Sequence, residues 1–530
     1  MKKTQTIEKP PIFVFKGQKV SASYHEEISI YRGNPLIEAL PEILTEEQVI
    51  EQLQFYPHFN SKELLLPKEL RLHLLQNVLQ FFTPLPVHID LEQRFSRLIR
   101  AGYIARNPVN LGFWKDLNQR VDSLRQNRCF NQRLRSTATG FTILGISGVG
   151  KSTAVEQILS LYPQVIYHSR YGNRRSTNTQ LVWLKLECPS DASVKGLCLN
   201  FFQSVDDILE TSYYLSYGGR GRRTLNELMP DVARVASLVH LGVLVIDEIQ
   251  VLSKLRSGGH EKMLDFFVQL INMIGLPVVL VGTYKAWSVL GSEFRQIRRG
   301  TGQGDLVWER MKEDEDWLLF VESLWQYQYV QFPCQLTDEL SHALYYESQG
   351  ITDLAVKLFM LAQVRAITTG KEKLTTGIIQ SVALDYLRTA REVLNALKSG
   401  SLERLKNCED VRPINIEPFI KQELGYLNVA NSISPQTATA KNSVNKSVLE
   451  PSMPLSLDPE PEVEQACSSN SPLVQVAKKA KKRPTATSPA ELPEIVSNGA
   501  SSGMSAYETL KQAGYIGGST EFISSEEGFI

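Results

Sequence analysis

The stretch FTILGISGVGKST, Phe141 to Thr153, constrains what this chain can fold into more than any other. Phe141–Leu144 is an apolar run that reads as a buried parallel strand, and Lys151–Ser160 reads as a helix. Between them lies Gly145-Ile-Ser-Gly-Val-Gly150, so the segment has the form G-x-x-x-x-G-K-[ST] in a strand-to-helix setting. Glycines at 145, 148 and 150 let the loop curl with its amides pointing inward, a nest for anionic oxygens at a helix N-terminus. Lys151 supplies a point charge for β- and γ-phosphates, and the Ser152 hydroxyl is placed to coordinate Mg²⁺. Gly145, Gly148, Gly150, Lys151, Ser152 and Thr153 are therefore the expected nucleotide-binding residues.

From Phe113 onward strands and helices alternate, as in an α/β domain built on a parallel sheet flanked by helices. LVWLKLE (Leu181–Glu187) reads as a strand and SVKGLCLNFFQSVDDIL as an amphipathic helix. Val243–Ile246 then forms a strand with Asp247 and Glu248 at its C-terminal end, where open parallel sheets collect their chemistry. Asp247 suits the carboxylate behind a bound Mg²⁺, and Glu248 suits a general base for an attacking water. Leu276–Thr283 is a further buried strand ending in a hydroxyl, with Thr283 in reach of that water or of a γ-phosphate. Next, SEFRQIRRGTGQG offers Arg295, Arg298 and Arg299, cations able to reach a nucleotide in a neighbouring subunit or simply to form a basic turn.

The flanks divide by composition. Residues 1–60 are short apolar clusters broken by Pro and Gly, expected as an extended arm that docks a partner; 61–112 form a helical element. Arg94, Arg97, Arg100 and Arg106 make one face of that element basic, a solvated face or a phosphate contact. Residues 113–305 are the nucleotide-binding domain and 306–400 a helical lid, with helices near 315–331, 336–348, 352–369 and 375–397. Two polar, basic stretches interrupt the domain: Tyr167–Thr177, with Arg170, Arg174 and Arg175, and the Gly/Arg loop ending at Arg223. Residues 401–500 turn rich in Ser, Pro, Asn and Thr and are expected to be a disordered linker; 501–530 regain apolar residues, as a peptide that folds on a partner does. A formal net charge of +0 leaves no global field to draw the chain onto nucleic acid, so any such contact needs local patches. Six cysteines without CxxC spacing read as reduced thiols, and no apolar run approaches membrane-spanning length, so a cytoplasmic location is expected.

GISGVGKST, GVLVIDEIQVLS and VVLVGT, in that order, resemble an AAA+ ATPase. More narrowly the chain is similar to the TnsC family, the ATPase regulators of site-targeted cut-and-paste transposons. The similarity rests on YRGNPLIEALP, RLIRAGYIARNP, YPQVIYH, CLNFFQSVD, RSGGHEKMLDFFVQLINMIGLPVVLVGT and SQGITDLAVKLFMLAQVRA, across about residues 25–400. The resemblance implies ATP and Mg²⁺ as cofactors and a bacterial, DNA-associated homo-oligomer, a ring or short filament on duplex DNA. It implies two further partners, a target-selection protein and transposase subunits. By the same resemblance Thr283 is a sensor, Arg299 (with Arg298 second) is the trans-acting finger, and Ser193 and Lys195 track the DNA backbone. Arg220, Arg222 and Arg223 are added as DNA contacts from charge alone. Tyr507, Leu510, Tyr515, Ile516, Phe522 and Ile523 look like the tail that docks onto transposase. The resemblance also implies a lid arginine after Gly350, and the sequence does not single one out: Asp353 stands in one such place and Lys357 is the nearest cation.

Two other readings stay open on the sequence. One is an ATP-dependent DNA scaffold that hardly turns nucleotide over. The other is a helicase loader or replication initiator of the same ATPase class.

Overall fold

The computed structural model describes residues 14–125, 138–218, 223–254, 259–288, 304–399 and Glu423, all within one unit, 1–437. Five parallel strands form the central sheet in the order β5-β6-β7-β2-β8: β2 Gly140–Gly145, β5 Trp183–Glu187, β6 Val243–Asp247, β7 Val278–Gly282 and β8 Leu306–Trp308. Side chains alternate across a strand, and here both faces are apolar. Phe141, Ile143, Val243, Val245, Val279 and Val281 face one cluster, while Leu244, Ile246, Val278 and Leu280 face the other. The second face is covered by α7 (Val194–Leu209), α8 (Leu225–Leu238) and α9 (Gly259–Gln269). The first is covered by α4 (Pro86–Ile104), α6 (Lys151–Ser160) and, continuously with them, the helices of the lid. The expected α/β architecture with a helical lid is what is found.

The first hundred residues depart from the sequence expectation. The segment expected as an extended arm is folded: α1 (Pro35–Glu38) and α2 (Glu46–Leu53) bury Leu36, Ile37, Val49 and Leu53 in the main core. β1 (Lys19–Ser21) pairs parallel to β3 (Val165–Tyr171), which pairs antiparallel to β4 (Arg174–Leu181), making a second small sheet. Two arginines of the basic face also belong inside. Arg100 donates to Ser96 Oγ (2.8 Å) and the Pro41 carbonyl (2.5 Å), and Arg106 donates to the carbonyls of Gly102 (2.7 Å) and Leu241 (2.6 Å). Both are buried, so neither is a phosphate contact, and burial pulls the Arg106 guanidinium down to about 10. Periodicity cannot tell a cation that reaches water from one that satisfies carbonyls inside.

The lid comprises α10 (Glu315–Trp325), α11 (Asp338–Ser348), α12 (Thr352–Thr368), α13 (Thr376–Tyr386) and α14 (Arg391–Lys398). The fourth expected helix is two, separated by a 3-10 turn at Leu387–Ala390. Asp314, Thr337 and Thr375 cap α10, α11 and α13 by accepting from backbone amides. No helix among the described residues is long and apolar enough to cross a membrane.

Lid and N-terminal element are joined by a buried ion pair. Arg71, on α3 (Lys68–Leu74) and 1% exposed, meets Glu372 with two parallel bonds of 2.7 and 2.8 Å and donates to the Tyr329 carbonyl at 2.9 Å. Phe59 packs edge-on to Tyr327 and Tyr329, and Phe81 lies against Phe320 and Tyr327. Burial would raise the Glu372 carboxyl, but the bonds from Arg71 and the Gln331 amide outweigh it and hold it below the ordinary range. Replacing Glu372 by Gln leaves a buried guanidinium without its counter-charge and is expected to cost about 3 kcal/mol. Arg71→Met in the Glu372→Gln background should recover part of that loss in thermal melts of the full chain. Additive melting shifts would show the two side chains to be uncoupled.

Candidate nucleotide site

The C-terminal ends of β2, β6 and β7 open into one cavity of about 600 Å³. The phosphate loop is its floor, held by glycines in conformations that side chains resist: φ is +86° at Gly148 and +96° at Gly150. Gly145 sits behind the loop, where a side chain would run into the Trp308 carbonyl. Gly148, Gly150, Lys151, Ser152, Thr153, Asp247, Glu248 and Thr283 all line the cavity. The structure thus brings the nucleotide, acidic and strand-end residues of the sequence reading to one place. Lys151 Nζ rests on the carbonyls of Gly145 (3.0 Å) and Ile146 (2.8 Å), within the loop whose anions it is built to meet.

Asp247 is fixed from two sides. Lys185 Nζ lies 3.1 Å from Oδ2, and the Glu248 amide donates to Oδ1 at 2.8 Å. Lys185 is itself buried and reaches Glu156 at 2.6 Å. Desolvation alone would lower its pKa, yet Asp247 and Glu156 outweigh burial and raise it, so the cation persists. The turn puts Glu248 at φ +59°, a left-handed backbone rare for a side chain of this size. Its carboxylate points into the cavity mouth and accepts from Gln250 Nε2 at 2.5 Å, while Gln250 Oε1 accepts from the Thr283 amide at 3.1 Å. Partial burial and then the Asp247 charge push the Glu248 carboxyl above its ordinary range, with Lys151 opposing. A raised carboxylate pKa suits a base that must take a proton from water.

Thr283 is 6% exposed, and its Oγ1 has no hydrogen-bond partner. A buried hydroxyl left unpaired is costly unless something outside the protein completes it. Thr283 lines the same cavity as the glycine loop, so a phosphate oxygen or a water bound there would suit it. Magnesium fits too: an ion held by phosphate oxygens, water and one hydroxyl needs no protein cage. Among the described residues no cluster of three or more acidic, His or Cys side chains offers one. Ser152 would hold the ion directly and Asp247 would hold its water.

Several walls of the cavity were not read from the sequence. Phe81, Phe82, Thr83, Leu85 and His88 form one, from the N-terminal element, and Val307–Lys312 another. His88 accepts from the Leu85 amide (2.9 Å) and packs edge-on to Phe82 and Trp308; burial lowers it to about 4, so it is neutral. The only sequence signal was the Pro84-Leu-Pro86 break that starts α4. Gln250 had a signal as well, its place two residues after Glu248. Across from these walls the lid reaches the loop directly: the Thr352 hydroxyl (3.1 Å) and Asp353 amide (2.9 Å) both donate to the Gly148 carbonyl. The Asp353 carboxylate pairs with Lys357 at 2.7 Å, so the expected site of a lid arginine presents a neutralised acid. Arg310 also lines the cavity, tied to the Gln349 carbonyl at 2.9 Å.

Three of the expected DNA contacts fall among the described residues. Ser193 caps α7, accepting from the Gly196 amide at 3.0 Å, and Lys195 is half-buried on the first turn of that helix. Arg223 is ion-paired to buried Asp231, which Arg125 also holds at 2.9 Å, so the one carboxylate is shared by two cations. Arg220, Arg222, Arg298, Arg299 and the docking residues Tyr507, Leu510, Tyr515, Ile516, Phe522 and Ile523 lie outside the described residues.

Residues 133–290 match the family model described as an AAA domain. Among solved structures the chain is similar to a Walker-type ATPase of Pyrococcus abyssi, at 16% identity over 55% of this chain and 74% of that one, with a TM-score of 0.32. It is similar to the Aeropyrum pernix ORC1 protein in complex with DNA (13% identity, 63% and 88% covered, TM-score 0.33) and to a Thermotoga maritima RuvB mutant (16%, 58% and 86%, TM-score 0.28). At such scores these likenesses carry no argument about what the chain does. No curated protein matches it.

Thr283→Val keeps the shape and removes the unpaired hydroxyl. It is expected to leave the melting temperature unchanged or slightly higher, while turnover of bound nucleotide falls about tenfold or more. Unchanged turnover would make Thr283 a plain strand end. With the phosphate loop, the acidic pair and the strand-end threonine converging on one cavity inside the matched segment, residues 133–290 constitute an AAA domain of the P-loop type.

Proposed function

We propose that this protein is an ATP-hydrolysing regulator of DNA transposition, assembling as a ring or short filament on duplex DNA and linking a target-selection protein to a transposase. The observation that carries the catalytic half is the convergence of Lys151, Asp247, Glu248 and the unpaired Thr283 hydroxyl on one cavity. In the mechanism, the loop amides and Lys151 would hold the triphosphate; Ser152 and Asp247 would hold a magnesium ion, directly and through water, and that ion would supply positive charge against the phosphates. Glu248, aimed by its left-handed turn and by Gln250, takes the proton from the attacking water. The transposition half rests on the segments that resemble the TnsC family, among them YRGNPLIEALP and CLNFFQSVD. In that reading Arg299, with Arg298 second, completes a neighbour's site, Ser193 and Lys195 follow the DNA backbone, and the 501–530 tail docks the transposase.

One observation favours a scaffold that turns ATP over slowly. Where a lid arginine would meet the phosphates there is the Asp353–Lys357 pair. Hydrolysis then depends on Glu248 and a neighbour's arginine, with no cation from the lid helix.

Glu248→Gln is expected to retain ATP and DNA binding, to lose phosphate release about a hundredfold, and to lengthen the life of the DNA-bound oligomer. Phosphate release at the wild-type rate would remove Glu248 from its role. Deleting 501–530 should spare ATP hydrolysis and DNA binding yet abolish activation of the transposase; a truncated chain that still activates insertion would end the docking assignment.

A further inference from the structure

The stretch Tyr167–Thr177, a polar run in sequence, is most of a β-hairpin. β3 and β4 pair from Val165↔Leu181 at the base to Tyr171↔Arg174 at the tip, with a register shift between His168 and Arg170. The base is anchored. Val165, Ile166 and Leu181 are buried, His168 bonds Tyr24 (2.8 Å) and Gln180 (2.8 Å), Gln180 donates to the Leu36 carbonyl, and Tyr171 donates to Glu38 at 2.8 Å. The tip is not covered: Arg170, Arg174 and Arg175 are all exposed.

Arg170 and Arg175 are direct cross-strand partners, so two cations share one face at a Cβ spacing of about 5 Å. Like charges so placed destabilise a hairpin, and no ion pair among the described residues offsets them. From Val165 to Leu181 there is no Asp or Glu. Glu38, the acid that reaches the hairpin, binds the Tyr171 hydroxyl and the Gly33 amide and forms no ion pair with any of the three arginines. Among the described residues none of the three arginine side chains has an ion-pair or hydrogen-bond partner. An anion that binds the tip therefore removes a repulsion present in the free protein. Guanidinium forks match phosphate oxygens, and a two-stranded ribbon is one of the elements a DNA major groove admits.

We propose that the Arg170–Arg175 hairpin grips the phosphate backbone of duplex DNA, in addition to Ser193 and Lys195. The inference rests on the DNA-binding reading above. The hairpin is rooted where β4 runs into β5, at the N-terminal edge of the central sheet and away from the phosphate loop, so its loss leaves nucleotide binding intact.

The test uses the full chain with Mg²⁺ and a slowly hydrolysed ATP analogue, titrated onto a labelled duplex of arbitrary sequence at several salt concentrations. Changing Arg170, Arg174 and Arg175 together to Gln should weaken binding at least tenfold at low salt. The slope of log affinity against log salt should become shallower by about 0.9 for each phosphate that is no longer neutralised, up to about 3. Nucleotide affinity and melting temperature should hold, and the corresponding triple Lys variant should keep most of the slope. Arg174→Gln alone, which leaves the cross-strand pair untouched, should remove about one unit of slope should the triple change fail to fold. A triple Gln variant with wild-type affinity and slope overturns the hairpin assignment while sparing the DNA reading, and points the tip at an acidic protein segment instead. A wild-type chain that binds no duplex overturns both.

Discussion

A single carbonyl, that of Gly148, receives both the hydroxyl of Thr352 and the amide of Asp353. Through it the loop built to hold phosphates and the first turn of α12 become one continuous hydrogen-bonded structure. Gly148 holds a positive φ of +86°, a backbone that glycine accepts, at the residue whose carbonyl meets the lid. Anything that re-forms the loop around a triphosphate is therefore felt at α12 without an intermediary. α12 also runs through the centre of the lid core, where Leu354, Leu358, Leu361 and Ala362 are buried, so a shift at its N-terminus moves packed side chains and not a loose end.

Much of the site was legible because it is made of local grammar. The strand, glycine turn and helix of 141–160, the Asp247-Glu248 pair and Thr283 each sit at the end of a short apolar run, and such runs must be strands of a sheet buried on both faces. Parallel pairing then aligns their C-terminal ends, so the residues meet. What was not legible depends on distant partners. Nothing within LEQRFSRLIRAGYIAR says that Arg100 and Arg106 turn inward to carbonyls at Pro41 and Leu241. Nothing in Tyr167–Thr177 separates a loop from a hairpin, because its alternation is polar on both faces and β1 arrives from more than a hundred residues upstream. The aromatic wall of Phe81, Phe82 and His88 was hidden in the same way, since short apolar clusters between prolines look alike whether they dock or fold.

The electrostatics of the site are arranged by small, well-separated means. Asp247 lies between a buried ammonium and a backbone amide, two contacts that hold its carboxylate in place. One residue later, Glu248 sits half out of that environment, with Asp247 as a repelling neighbour, and is biased toward accepting a proton. Two adjacent carboxylates thus acquire different surroundings from a single turn of backbone. The Cys188 amide donates to the Asp247 carbonyl at 2.9 Å and Cys198 lies on α7, yet burial drives both thiols up to about 12 and leaves them inert as nucleophiles.

The bond between Arg71 and Glu372 spans 301 positions of chain. A ribosome delivers Arg71, Phe59 and Phe81 long before it delivers the carboxylate and the tyrosines that cover them. During synthesis the N-terminal segment is made well before the residues that cover it, and this contact can close only after the lid has emerged. The clasp makes the beginning of the polypeptide a quality check on its own completion: a chain halted before the lid carries uncovered aromatic surface, the kind that chaperones and proteases recognise.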